Sequence, residues 1–279
     1  RVSFSFACGT VSKMIPTGQE DPSSSISEIF PFSESADSLQ PEKPQAGSHR
    51  MVALAEVVLC SGFPTQLVVA LFLSVIGITS IGQQGELTLY YVVALSLGDA
   101  VILIVLIAYC LRRHGERLRD VFFGSRPHVR EVMLGLLLIP LTVIVASSVI
   151  QALHHFWPWL RNVPENPLEA LINSPLNAFI VAFVAIVAGG LREELQRAFI
   201  LRRFEQHLGG GWVGLVVFST VFGLGHYIQG WDTAIATGIL GAIWGAVFLV
   251  RRSVIPTVIG HAGFNATEIF IAFWGVSSF

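Results

Sequence analysis

From Met51 onward the chain is a succession of stretches of about 20 residues nearly free of charge, the length an α-helix needs to cross a bilayer. About seven such spans can be drawn, roughly 64–82, 88–110, 131–152, 174–201, 212–229, 233–250 and 254–275. An amphipathic lead-in, Val52 to Leu59, precedes the first. Hydrophobic residues make up 53% of the 279 and charged residues 13%. A soluble domain is nearer about a quarter charged, so the reading is an all-α polytopic membrane helix bundle over 51–279. The charges are too few, and too little interleaved with aromatics, for a nucleic-acid surface. Cys8, Cys60 and Cys110 form no CxxC pair, and the last two read as small packing residues in apolar surroundings.

Residues 1–50 differ in kind. They are rich in Ser, Pro, Glu and Gln, as in Asp21-Pro22-Ser23-Ser24-Ser25, and lack a sustained apolar period. Such a segment buries too little surface to offset its ordering entropy. It reads as a disordered N-terminal tail or an upstream extension, with Met51 as a natural start.

Basic residues orient the spans. With the N-terminus cytoplasmic, the inside loops hold Arg112, Arg113, Arg117, Arg119, Arg126 and Arg130, then Arg192, Arg197, Arg202 and Arg203, then Arg251 and Arg252. The outside loops hold only Arg161, a strong positive-inside bias. The fourth span has its own punctuation. Ser174-Pro175 reads as an N-cap with Pro at the first helical position, and Gly209-Gly210-Gly211 as the stop. A helix filling that interval runs roughly 50 Å, longer than the bilayer is thick, so its cytoplasmic end should project.

Polar residues inside the spans are scarce, and scarcity makes them informative. An ionisable side chain in lipid costs a few kcal/mol or more, so one that persists has work to do. The histidines within spans are His226 and His261; the acids are Asp99, Glu193, Glu194 and Glu268. Asp99, without a partner in sight, reads as a helix-packing or lumen-facing residue. His261 and Asn265 are four apart and share a helix face, as do Phe222 and His226. Glu193 and Glu194 diverge by about 100° around their helix, and Arg197 is within reach of either. A carboxylate beside a neutral imidazole takes a proton from water. A second His and an Asn amide donate to an oxyanion. No serine or cysteine nucleophile is evident, so the set suits hydrolysis by activated water. HExxH is absent, and Ser96 stands where a GxGD motif needs Gly before Leu97-Gly98-Asp99.

The three patterns are Arg192-Glu193-Glu194-Leu195-Gln196-Arg197, Phe222-Gly223-Leu224-Gly225-His226 and His261-Ala262-Gly263-Phe264-Asn265. In order and spacing they resemble the CAAX protease and bacteriocin-processing family (CPBP or Abi), which includes CAAX prenyl protease 2 enzymes. The resemblance covers about 130–275. It departs in one place: the family sets three residues between the Glu pair and the Arg, and here there are two. The resemblance implies an intramembrane endopeptidase cutting a membrane-associated or lipidated, CAAX-type protein. In that reading Glu193 is the general base aided by His226, and His261 and Asn265 hold the oxyanion. Glu194, Arg197 and Phe222 support them. The family has been described both as metalloproteases and as glutamate-dependent proteases. Glu193, His226 and His261 are the candidate zinc ligands if a metal is used, while Asn265 suits an oxyanion donor better, which favours water activation without metal. The match also points to a bacterial plasma membrane. The alternative function is a non-hydrolytic protein of the same fold, acting in bacteriocin-type self-immunity or in transport. Counted from the cytoplasmic ends, His226 lies deeper than His261, so one shared site requires a tilted or recessed fifth helix.

Overall fold

The computed structural model describes residues 46–82, 86–163 and 166–275. Their regular structure is helical, apart from an isolated antiparallel bridge between Ile81 and Leu87. The helices are α1 (Ala46–Leu59), α2 (Phe63–Val75), α3 (Leu89–Arg113), α4 (Leu118–Phe122), α5 (His128–Phe156), α6 (Pro175–Val184), α7 (Glu193–His207), α8 (Gly211–Leu224), α9 (Trp231–Arg251) and α10 (Ile255–Phe273). Most of the tail expected over 1–50 lies outside the described residues; its last five begin α1, so the first helix starts ahead of Met51.

Four helical stretches are long and apolar enough to cross a bilayer: α3, α5, the continuous run Pro175–His207, and α9. The count rises to five if α1 and α2, bent by 42° at Gly62, form one broken span. The expected seven is therefore not reached on length and composition. α2 has 13 residues and α8 has 14. At 1.5 Å per residue they cover about 20 Å of a roughly 30 Å hydrocarbon layer. α10 has 19 residues, but His261, Asn265 and Glu268 dilute its apolar character. The expected spans 64–82 and 212–229 run past the ends of α2 and α8 because their apolar runs continue into turns.

The long run over 175–207 starts as the sequence foretells. The Ser174 hydroxyl accepts the backbone N–H of Asn177 at 3.2 Å, and Pro175 follows it. Between α6 and α7 the backbone widens into a π segment, Ala185–Arg192. Such wide turns concentrate at functional sites. Here the segment packs on α10 through glycines: a Cβ on Gly190 would stand 2.8 Å from the Ala262 Cα. α5 lies on the other side of α10, where a Cβ on Gly135 would meet Ile259 at 2.7 Å. α7 ends at a Gly209–Gly210 turn with φ of 101° and 107°, a conformation glycine adopts without steric cost. α8 then folds back along α7, and Gly214 abuts the Phe204 side chain.

One end of the bundle is tied by ion pairs. Arg203 binds Glu56 of α1 at 2.6 Å and also Glu116, while Arg202 binds Glu116 at 2.6 Å. His114 reaches Glu56 at 2.7 Å. Arg252 grips Glu205 through two bonds of 2.5 Å, and Arg251 pairs with buried Glu131. α1 turns its acid inward to this cluster and leaves Met51, Leu54, Val58 and Leu59 exposed. That pattern suits a helix lying against lipid.

Partial burial works to raise the Glu116 pKa, but hydrogen bonds from Arg203 and Arg202 prevail and hold it below the usual carboxylate range. A carboxyl depressed in the folded state contributes stability that is complete above its unfolded value and disappears as pH falls through its folded value. Thermal unfolding in detergent should show stability decreasing through the acidic range. Glu116→Gln should reduce that decrease, and identical acid profiles would count against the clamp.

Candidate active site

The first turn of α7 carries two acids with different surroundings. Glu194 is buried, at 1% exposure, and Arg197, at 0%, pairs with it one turn on. The same Glu194 oxygen, Oε1, accepts a 2.8 Å hydrogen bond from Nδ1 of His261 on α10. The pair is not the exposed salt bridge usual at a cytoplasmic helix end. Two residues between Glu194 and Arg197 place the guanidinium over the glutamate's own helix face, so the spacing departure leaves a working i,i+3 pair.

Three rings enclose Arg197. Its guanidinium carbon lies 5.1 Å from the centre of Phe218, 4.9 Å from Phe222 and 5.7 Å from Trp244. Cation–π contacts contribute about 0.5–1 kcal/mol at exposed sites and about 2 kcal/mol when desolvated. Phe222 therefore has a physical role: it is one wall of the arginine's cage and holds an edge toward His261, 6.3 Å between ring centres. Trp244 of α9 stacks on His261 at 3.9 Å with 15° between planes. The imidazole is thus fixed by a carboxylate at one nitrogen and an indole on one face.

A carboxylate only accepts, so the 2.8 Å bond puts a proton on Nδ1 of His261 and turns Nε2 to the other side. There it meets Glu193, whose Oε2 lies 3.9 Å from Nε2. Glu193 is half-buried, and its other oxygen faces Arg192 at 3.8 Å. Both separations are too long for hydrogen bonds.

Asn265 lies one turn beyond His261 on α10, and its amide donates to the Ala185 carbonyl at 3.1 Å, where the π segment begins. Its Nδ2 also lies against Gly189, where a side chain would displace it. One amide hydrogen is thus committed to backbone.

His226 sits just past the end of α8, half-buried, with Nδ1 donating to the Phe222 carbonyl at 2.8 Å. That bond leaves Nε2 as its acceptor. Its ring packs edge-on against Phe222 at 4.9 Å. Among the described residues no hydrogen bond or ion pair joins His226 to either glutamate. The structure brings Glu193, Glu194, Arg197, Phe222 and His261 into one contact set, with Asn265 at its α10 flank and His226 across the Phe222 ring. α8 is short and starts at the glycine turn after α7. Among the described residues no three His, Cys, Asp or Glu side chains gather as a metal-binding group.

Sequence reading missed Trp244 and Phe218, which look like ordinary apolar residues, and it gave Asp99 no partner. Asp99 is 2% exposed and binds both Arg192 and the Thr65 hydroxyl. The clue available was its charge within an apolar span.

Residues 174–267 match the Rce1-like family, described as Type II CAAX prenyl endopeptidase Rce1-like. The match begins at the Ser174 cap and ends two residues past Asn265, so it contains all three motifs. It supports a CAAX-type intramembrane endopeptidase in general terms. No curated protein and no solved structure matches the chain.

Removing the charge of one partner in a buried ion pair strands the other, at a cost of about 3–5 kcal/mol. Glu194→Gln should therefore lower thermal stability markedly. The double variant Glu194→Gln/Arg197→Met, which strands no charge, should recover part of the loss. Unfolding in detergent measures both, and equal costs would argue that the pair is not buried.

Proposed function

We propose that this chain is an integral-membrane endopeptidase that hydrolyses a peptide bond in a membrane-associated or lipidated, CAAX-type protein. The observation that carries the reading is the chain Arg197–Glu194–His261, with Glu193 facing the free side of the same imidazole at 3.9 Å. A water lying between Glu193 and His261 would touch both. The half-buried Glu193 serves as the general base for that water, and buried Glu194 keeps His261 aligned. His226 presents Nε2 from the far side of Phe222 and assists as water and carbonyl approach. In this mechanism His261 enters the step with both ring nitrogens protonated: Nδ1–H stays on Glu194 and Nε2–H donates to the tetrahedral oxyanion as it forms. Asn265 donates its second amide hydrogen. The proton taken by Glu193 then passes to the leaving amine.

Burial of this set costs several polar atoms their partners. Glu194 Oε2, Arg197 Nε and Nη2, and Trp244 Nε1 find none among the described residues. A purely structural core would gain by replacing them with apolar groups, so their presence favours chemistry over packing. The arginine-rich end of the bundle faces the cytoplasm in this reading, in a bacterial plasma membrane.

Purified protein in detergent should cleave a farnesylated CAAX peptide. Glu193→Gln should lower kcat on the order of a hundredfold or more while leaving thermal unfolding close to wild type, because Glu193 is not in the buried pair. Equal kcat in this variant would remove Glu193 from the reaction. No step here is routed through a metal, so activity should survive chelator treatment. Inactivation that added zinc reverses would replace this mechanism with a metal-dependent one.

A further inference from the structure

Each glutamate of the pair has an arginine, but the two are held at different distances. Arg197 contacts Glu194 directly. Arg192, the last residue of the π segment and the neighbour of Glu193 in sequence, has Nη1 3.8 Å from Glu193 Oε1. The Arg192 side chain is buried, and its Nη2 is bound to Oδ2 of Asp99 on α3. Asp99 is fixed in turn: its Oδ1 accepts the Thr65 hydroxyl, whose oxygen also lies 3.0 Å from the Gly62 carbonyl. The corner between α1 and α2 closes around this assembly. Gly62 has φ 88°, and a Cβ there would stand 2.6 Å from Arg192 Nη2. The Gln196 amide donates to the Cys60 carbonyl at 2.8 Å, tying the same corner to α7.

We propose that Asp99 is a positioning residue that holds Arg192 off Glu193 and so keeps the Glu193 carboxylate open to water. The inference rests on Glu193 being the base in the peptidase reading. An arginine and a carboxylate free to meet form a two-pronged pair that occupies both oxygens. One of those oxygens, Oε2, is the one that faces His261 Nε2. Asp99 supplies a competing carboxylate from α3, anchored by Thr65, which leaves the guanidinium fork directed away from the site. An intramembrane acid at 2% exposure is costly in lipid. The restraint gives Asp99 a role that simple helix packing does not.

The test measures kcat and KM of full-length protein on a farnesylated CAAX peptide for wild type, Glu193→Gln, Asp99→Asn and Asp99→Asn/Arg192→Gln. Asp99→Asn frees Arg192 to close on Glu193, and kcat should fall on the order of tenfold with KM within about twofold. Adding Arg192→Gln removes the cation that closes, so kcat should rise several-fold above that of Asp99→Asn alone. A packing role predicts the opposite, because a second buried substitution would deepen the loss. Wild-type kcat in Asp99→Asn, or no recovery in the double variant, overturns the inference. If Asp99→Asn does not fold, Thr65→Val tests the same restraint with both charges kept. A lowered kcat at unchanged KM supports the inference, and unchanged kcat overturns it. A wild type no faster than Glu193→Gln removes Glu193 as the base, and this inference with it; no cleavage by either overturns the peptidase reading as well. A wild type that is faster, with Asp99→Asn equal to it, overturns this inference alone.

Discussion

The pairing of Arg197 with Glu194 is the interaction on which the rest of the site depends. A lone ion in a low-dielectric interior costs several kcal/mol even after relaxation, about as much as a typical domain's whole margin of stability can spare. The protein meets this with opposite charge at contact distance, three aromatic faces around the guanidinium, and a histidine bonded to the carboxylate. These partners come from α7, α8, α9 and α10, so the pair also sets how four helices meet. His261 has its orientation because Glu194 holds Nδ1 and Trp244 covers its face. Glu193 has a definite neighbour because His261 does.

Close helix approach makes this arrangement reachable. Within a bilayer, small residues let backbones come near enough for short side chains to act across an interface. Gly189 and Gly190 do this for α10, and the π segment that contains them presents the Ala185 carbonyl to Asn265. Gly135 and Gly260 bring α5 against the opposite side of α10. At the charged end, Arg203 with Glu56 and Glu116 ties α1 and the turn after α3 to α7. That clamp sits about two to three turns from the glutamates and steadies the helix that carries them.

The two adjacent glutamates divide the labour by environment. Glu194 is enclosed and bonded to Arg197 and His261. Glu193 is half-buried, with every charged neighbour held beyond hydrogen-bond distance. One residue of offset on a helix, about 100°, separates a structural anion from one left available. Arg192 and Arg197 sit on opposite flanks of the pair. The acid across from Arg192 comes from a distant helix, α3, so the geometry around Glu193 is a tertiary property.

Several features were legible in the chain itself. Long apolar stretches broken by arginine clusters require a membrane bundle, because only helices satisfy their own backbone polar groups in lipid. Ser174-Pro175 and the glycine run after His207 bound the longest helix by local rules of capping and backbone freedom. Spacings of three and four residues put Arg197 within reach of either glutamate, and Asn265 and His261 on one face, since a helix repeats every 3.6 residues. Tertiary structure alone decided the rest. Whether the short α2 and α8 cross the membrane depends on where turns fall, which hydropathy averages away. That Trp244 stacks on His261, that Phe222 walls in Arg197, and that Asp99 holds Arg192 are contacts between helices far apart in sequence. No local pattern encodes them, because they follow from how glycine-lined faces dock and from the need of each buried charge to find a partner.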